Sequence, residues 1–152
     1  FRPPREVDGA DDRDEQEEAD DLEGEREVGE FTLHIQCTWR LLRDGRIVVA
    51  SQDRYYSAFD PVHDNSDFDW DVPGSNWCDR QIDSLFQDFA PKPPVVTAVD
   101  ANSYGDISIS LQEGYRLEVI GDTSFNQERW RLMKPYCDSD HIVFVGDTIE
   151  LE

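Results

Sequence analysis

The sequence predicts a mainly β, α+β domain: an antiparallel meander or a small sandwich or partly open barrel, with one helix packed on it. Three observations lead there. Several short runs alternate apolar and polar residues, Gly-containing turns separate them, and a single segment carries helical spacing.

Residues 31–42, FTLHIQCTWRLL, place Phe31, Leu33, Ile35, Cys37 and Trp39 on one face, as a half-buried strand does. Arg43-Asp44-Gly45 is a turn signal and RIVVAS (46–51) a second strand, so 31–51 reads as a hairpin. Residues 52–76 are a long loop of Asp, Asn, Ser and Pro with interleaved Tyr55, Tyr56, Phe59, Phe68 and Trp70. A loop of that length inside a compact domain is functional or packed by its own rings.

The helix begins at Asn76, a fair N-cap, with Asp79 at the third helical position. Ile82, Leu85, Phe86 and Phe89 follow on one stripe, and Pro91, Pro93 and Pro94 stop it. Strand signals then recur at 95–101, 106–111, 115–120, 129–133, 141–145 and 148–152, with turns at Tyr104-Gly105, Glu113-Gly114 and Gly146-Asp147. The expected core joins Trp39, Trp130, Ile82, Leu85 and Phe86 between the sheet and the helix, with Trp77 in the helix's first turn.

One internal echo stands out. Trp39-Arg40-Leu41 followed by Ile47-Val48-Val49 resembles Trp130-Arg131-Leu132 followed by Ile142-Val143-Phe144. Upstream strands carry Leu33 and Ile35 in one case, Leu117 and Val119 in the other. These are two halves of one sheet or sandwich, or a coincidence of Trp-Arg-Leu strands.

Charge divides the chain. It has 35 acidic and 14 basic residues, a formal net charge of -21. Residues 1–30 hold 14 acids and 4 Arg (net -10), leaving 21 acids and 10 bases (net -11) for 31–152. The first part has almost no apolar content and is expected to be a disordered acidic arm; 31–152 is expected to be one globular domain. Nucleic acid and anionic membrane surfaces are poor partners for so acidic a body, whereas a basic protein would be steered toward it. Cys37, Cys78 and Cys137 are too widely spaced for a disulfide framework or zinc site, so buried thiols in a reducing, cytoplasmic setting are expected. No run reaches transmembrane length and no signal-peptide pattern opens the chain.

No motif argues for an enzyme: no G-x-S-x-G elbow, no phosphate-binding Gly loop, no catalytic Cys signature. No cofactor is implied. The metal candidate is Asp67-x-Asp69-x-Asp71, three alternating carboxylates such as calcium favours, although Val72 stands where an EF-hand needs Gly and Cys78 where it needs Glu. The alternative is FDWDV with its rings inward and its acids in water. His34, His63 and His141 fit no ligand spacing. The partner-binding candidates are Tyr55, Tyr56, Asp60, Asp64, Asp67 and Trp70, because acids beside aromatics suit Lys or Arg of a partner.

The segments LHIQCTWRL with DGRIVVASQD, and GYRLEV with ERWRLMKP, resemble a group of small uncharacterised bacterial proteins rich in β-structure. The resemblance covers most of 31–152, leaves the arm out, and carries no catalytic or binding residues with it. Such acidic proteins are similar in general character to immunity proteins that neutralise basic toxins. The expected function is a non-enzymatic acidic interaction module, immunity-like, for a basic protein. The alternative is a β domain binding a small ligand or calcium.

Overall fold

The structure, a computed structural model, describes residues 29–63 and 67–152. The acidic arm expected over 1–30 therefore lies almost wholly outside the described residues, and Asp64 lies outside them too. Residues 31–152 form one compact unit. Its elements are β1 (Thr32–Ile35), β2 (Thr38–Arg43), β3 (Arg46–Ala50), a 3₁₀ turn (Ser51–Tyr55), α1 (Trp77–Phe89), β4 (Val96–Ala101), β5 (Ile107–Leu111), β6 (Tyr115–Ile120), β7 (Glu128–Met133), β8 (Ile142–Val145) and β9 (Thr148–Leu151). Among the described residues they make two antiparallel sheets, ordered β1-β7-β8-β9 and β3-β2-β6-β5-β4, with no closed barrel.

The run 31–42, read from the sequence as one strand, breaks at Gln36-Cys37. Its first half joins one sheet and its second half the other. Alternation survives the break, because Leu33, Ile35, Cys37 and Trp39 all pack against the same buried cluster of Ile107, Val119, Trp130 and Phe144. Gln36 N–H donates to Arg129 O at 2.8 Å, which holds the crossing strand to the start of β7.

The internal echo has a structural counterpart. Strands β1-β2-β3 and β6-β7-β8 are the two copies, and they exchange first strands: β1 pairs with β7, and β6 pairs with β2. The register matches residue for residue. Ile35 lies opposite Trp130 and Val119 opposite Trp39; Leu33 lies opposite Leu132 and Leu117 opposite Leu41. Each sheet is thus built from both copies.

Helix α1 covers one part of the larger sheet's inner face. Leu41, Val49, Cys78, Leu85 and Tyr115 form the buried cluster there, and Trp39 and Leu117 pack against both clusters. The Asn76 side chain accepts from Asp79 N–H at 2.8 Å, as an N-cap does. The buried stripe is Cys78, Ile82, Leu85 and Phe89, and Phe89 meets the Tyr115 ring edge-on at 5.1 Å. Phe86 was expected in this core and is instead 63% exposed. It stands one residue past Leu85, turned roughly 100° away around the helix. Trp130, expected beside the helix, is buried in the other cluster, between the sheets, where it stacks on Phe144 at 5.6 Å and donates its indole N–H to Gly105 O at 2.8 Å. Gly105 has φ +81°, and any side chain there would run into the Phe144 ring. Among the described residues, no helix is long and apolar enough to cross a membrane.

Candidate functional site

The loop after β3 is tied to the helix start. A bridge joins Ser57 to Asn76; Ala58 N–H donates to Ser75 O (2.9 Å) and Trp77 N–H to Tyr56 O (2.7 Å). Arg80 Nη1 donates to Ala58 O at 2.6 Å, and Gly74 N–H to Asp79 Oδ2 at 2.8 Å. Asn76 is the hub. Buried itself, it caps the helix with its oxygen and donates its amide N–H to Trp70 O at 3.0 Å. A polar side chain buried in this way must use both ends of its amide, and Asn76 does.

This anchoring leaves the rings at the surface. Tyr55, Tyr56, Phe59 and Trp70 are exposed, as are Val62 and Val72. Tyr55 meets Trp70 edge-on, with centroids 5.4 Å apart. Arg54 lies over the Trp70 ring at 5.5 Å, so the chain's own guanidinium occupies a face read from the sequence as a place for a partner's cation. Arg54 is the single base in 52–76, against six Asp. It was the one residue of this cluster that acid-and-aromatic patterning did not mark.

The structure brings Tyr55 and Trp70 together and leaves the acids apart. Asp60 Oδ1 accepts from His63 N–H (2.9 Å) and lies 3.1 Å from His63 Nδ1. Asp69 Oδ1 accepts from Asp71 N–H at 3.1 Å, and Ser75 Oγ donates to Asp69 O, so this stretch is a side-chain-stabilised turn. Among the described residues, no three His, Cys, Asp or Glu side chains gather as metal ligands; Asp67, Asp69 and Asp71 are included in that statement.

Behind Tyr55 lies a cavity of about 370 Å³ between the 3₁₀ turn, the first turn of α1 and the β1–β2 crossing. Cys37, Trp39, Arg54, Cys78, Asp79 and Asp122 are among its lining residues. Burial, aided by Asp53 and Asp79, pushes the Cys78 thiol up to about 11. Burial and then Asp122 push Cys37 up as well. Both thiols are therefore held protonated, the reverse of an activated nucleophile. Asp122 Oδ2 is engaged by Thr38 N–H (3.0 Å) and Thr38 Oγ (2.6 Å). All three thiols were expected to be buried; Cys78 is, Cys37 is half-buried, and Cys137 is exposed, lying in the turn-rich connection between β7 and β8 outside any strand.

The other dense charged group spans β7, β8 and β9. Arg131 donates to both oxygens of Glu128 (2.7 Å each) and to Glu152 (3.1 Å), with His141 Nδ1 at 3.0 Å from its Nη1. The Arg131 hydrogen bonds hold the Glu128 carboxyl below its ordinary range, and Glu128 in turn raises Arg131. Nε, Nη1 and Nη2 of this guanidinium all have partners inside the fold. It clamps the last strand and offers little to a ligand.

No protein-family model, curated protein or solved structure matches this chain.

Proposed function

We propose that the chain is a non-enzymatic acidic interaction module that binds a basic protein, with loop 52–76 as its contact surface. The observation that carries this is the set of exposed rings, Tyr55, Tyr56, Phe59 and Trp70, on an acid-rich loop that Asn76 ties to the helix. Rings held in place before binding lose little conformational freedom when a partner covers them, and such rings dominate interface energetics. The surrounding carboxylates act earlier, steering the encounter. In this respect the surface is of the general kind that immunity proteins present to basic toxins, and the role proposed is to cover such a partner.

The test is capture from the native host with the wild-type chain, with Trp70→Ala, and with Asp60→Asn/Asp67→Asn. A basic protein should be retained by the wild type, lost with Trp70→Ala, and bound more slowly and with a flatter salt dependence by the Asn variant. A bound protein that ignores all three changes would overturn the assignment to this loop. Parallel melts with calcium or EDTA test the other reading: a calcium-dependent rise in Tm that Asp69→Asn abolishes would replace partner binding with metal binding.

A further inference from the structure

The four sheet edges among the described residues are not alike. Strand β1 has four residues, and β3 carries Arg46 and lies against α1. The last strand, β9, has four residues, is flanked by Asp147 and Glu152, and contains Glu150. Strand β4 differs from all of these. It has six residues, VTAVDA, every one of them exposed, and a single charge, Asp100. No described strand pairs with its outer side. Lys, Pro or inward-pointing charge would ordinarily blunt such an edge; here only a register shift between Val96 and Ala98 interrupts it.

The backbone register says which groups are free. Asn102 N–H donates to Asp106 O (3.1 Å), and at the other end Gln112 N–H donates to Val95 O (2.9 Å). Antiparallel pairs alternate between bonded and non-bonded, so Asp100 opposite Ser108 and Ala98 opposite Ser110 are the bonded pairs. Val99 and Ala101, opposite Ile109 and Ile107, then point their N–H and C=O groups out of the sheet. Their side chains continue the apolar inner face of Ile109 and Ile107, while Asp100 stands on the polar face beside Ser108 and Glu118.

The geometry points to strand addition: β4 accepts an extended segment of a basic protein, which becomes a sixth strand of the larger sheet. Outward N–H and C=O groups on an edge select a strand. Val99 and Ala101 select apolar side chains at alternate positions, and Asp100 selects Lys or Arg at the position between. A second copy of this chain is the poorer occupant, because it would bring two strongly acidic bodies together. The surface is independent of loop 52–76 and stands whether or not that loop binds anything.

The test uses a fluorescent hexapeptide alternating Val and Lys, its Val/Glu counterpart, and the full chain. The Val/Lys peptide should bind and the Val/Glu peptide should not. Val99→Pro removes an outward donor that the β4–β5 ladder does not use, so the variant keeps its fold and should weaken the Val/Lys peptide about tenfold. Val99→Lys provides a second, backbone-conservative variant and should weaken it through like charge. Trp70→Ala should leave it unchanged, which separates this inference from the loop reading. Unaltered binding in Val99→Pro and Val99→Lys would sink the proposal. So would concentration-dependent dimers of the chain alone that Val99→Lys dissociates, because the occupant would then be a second copy.

Discussion

Asn76 joins the fold to the candidate surface, and replacing it separates two contributions. Asn76→Ala removes the helix cap, which costs about 1 kcal/mol. It also strands the Trp70 carbonyl, adding about 0.5–1 kcal/mol. The sum is about 1.5–2 kcal/mol, or a fall in Tm of about 5–10 °C for a domain of this size. Asn76→Asp behaves differently. Its carboxylate still accepts from Asp79 N–H and suits the positive end of the helix, but it has no N–H for Trp70. Asn76→Asp should therefore lose about a third to a half as much stability while freeing the loop to the same extent. Urea unfolding followed by far-ultraviolet dichroism gives the stabilities, and amide exchange across 69–76 reports the loop. Equal losses in the two variants, or losses below about 0.5 kcal/mol in both, would refute the assignment of Asn76 as a two-ended tether.

Trp130→Ala should cost about 3–5 kcal/mol, since a buried ring stacked on Phe144 leaves a cavity and an unpaired Gly105 carbonyl; a denaturant-derived loss under about 1 kcal/mol would contradict that packing. The thiols should separate kinetically. Cys137 should label rapidly in the native protein, half-buried Cys37 more slowly, and buried Cys78 only as fast as the fold opens. Stability should also fall as pH rises from 9.0, where the unfolded Cys78 thiol ionises, to about 11, where the folded one does. The sign follows from proton counting: in that window the unfolded state binds fewer protons than the folded state. Cys78→Ala should flatten this slope in alkaline melts.

Local pattern made most of the elements legible. Alternation located the strands to within about a residue, and the Asn76 cap, the apolar stripe and the prolines located the helix. What pattern could not supply was which strand lies beside which. The run 31–42 keeps one alternation through the crossing at Gln36-Cys37, so nothing in its periodicity marks a change of sheet. Phe86 was misplaced for a related reason: with apolar residues at both 85 and 86, a single stripe cannot decide which one faces inward. Of the candidate site, the exposed aromatics were legible as an interleaved loop. The tether through Asn76 and the ring face occupied by Arg54 were not, because both depend on contacts across residues that no spacing rule connects.

The exchange of first strands also bears on where function can lie. Leu41, Val49, Val119, Trp130, Val143 and Phe144 are buried, and all belong to the six strands that the two copies share. A change in those strands is felt across both sheets, because each copy's first strand completes the other copy's sheet. The segment between the copies adds fewer buried positions, Cys78 and Leu85 of α1 and Ile107 of β5 among them, and many exposed ones. After β3 come the acidic loop and α1, then β4 and β5, before the second copy begins at β6; a tight turn and β9 follow β8. Both surfaces proposed for binding, the ring-bearing loop and the β4 edge, fall within the segment between the copies. The paired strands supply a rigid body, and the exposed positions of the inserted segment, the loop rings and β4 included, can vary in charge and side chain without disturbing the matched registers of Ile35 with Trp130 and Val119 with Trp39.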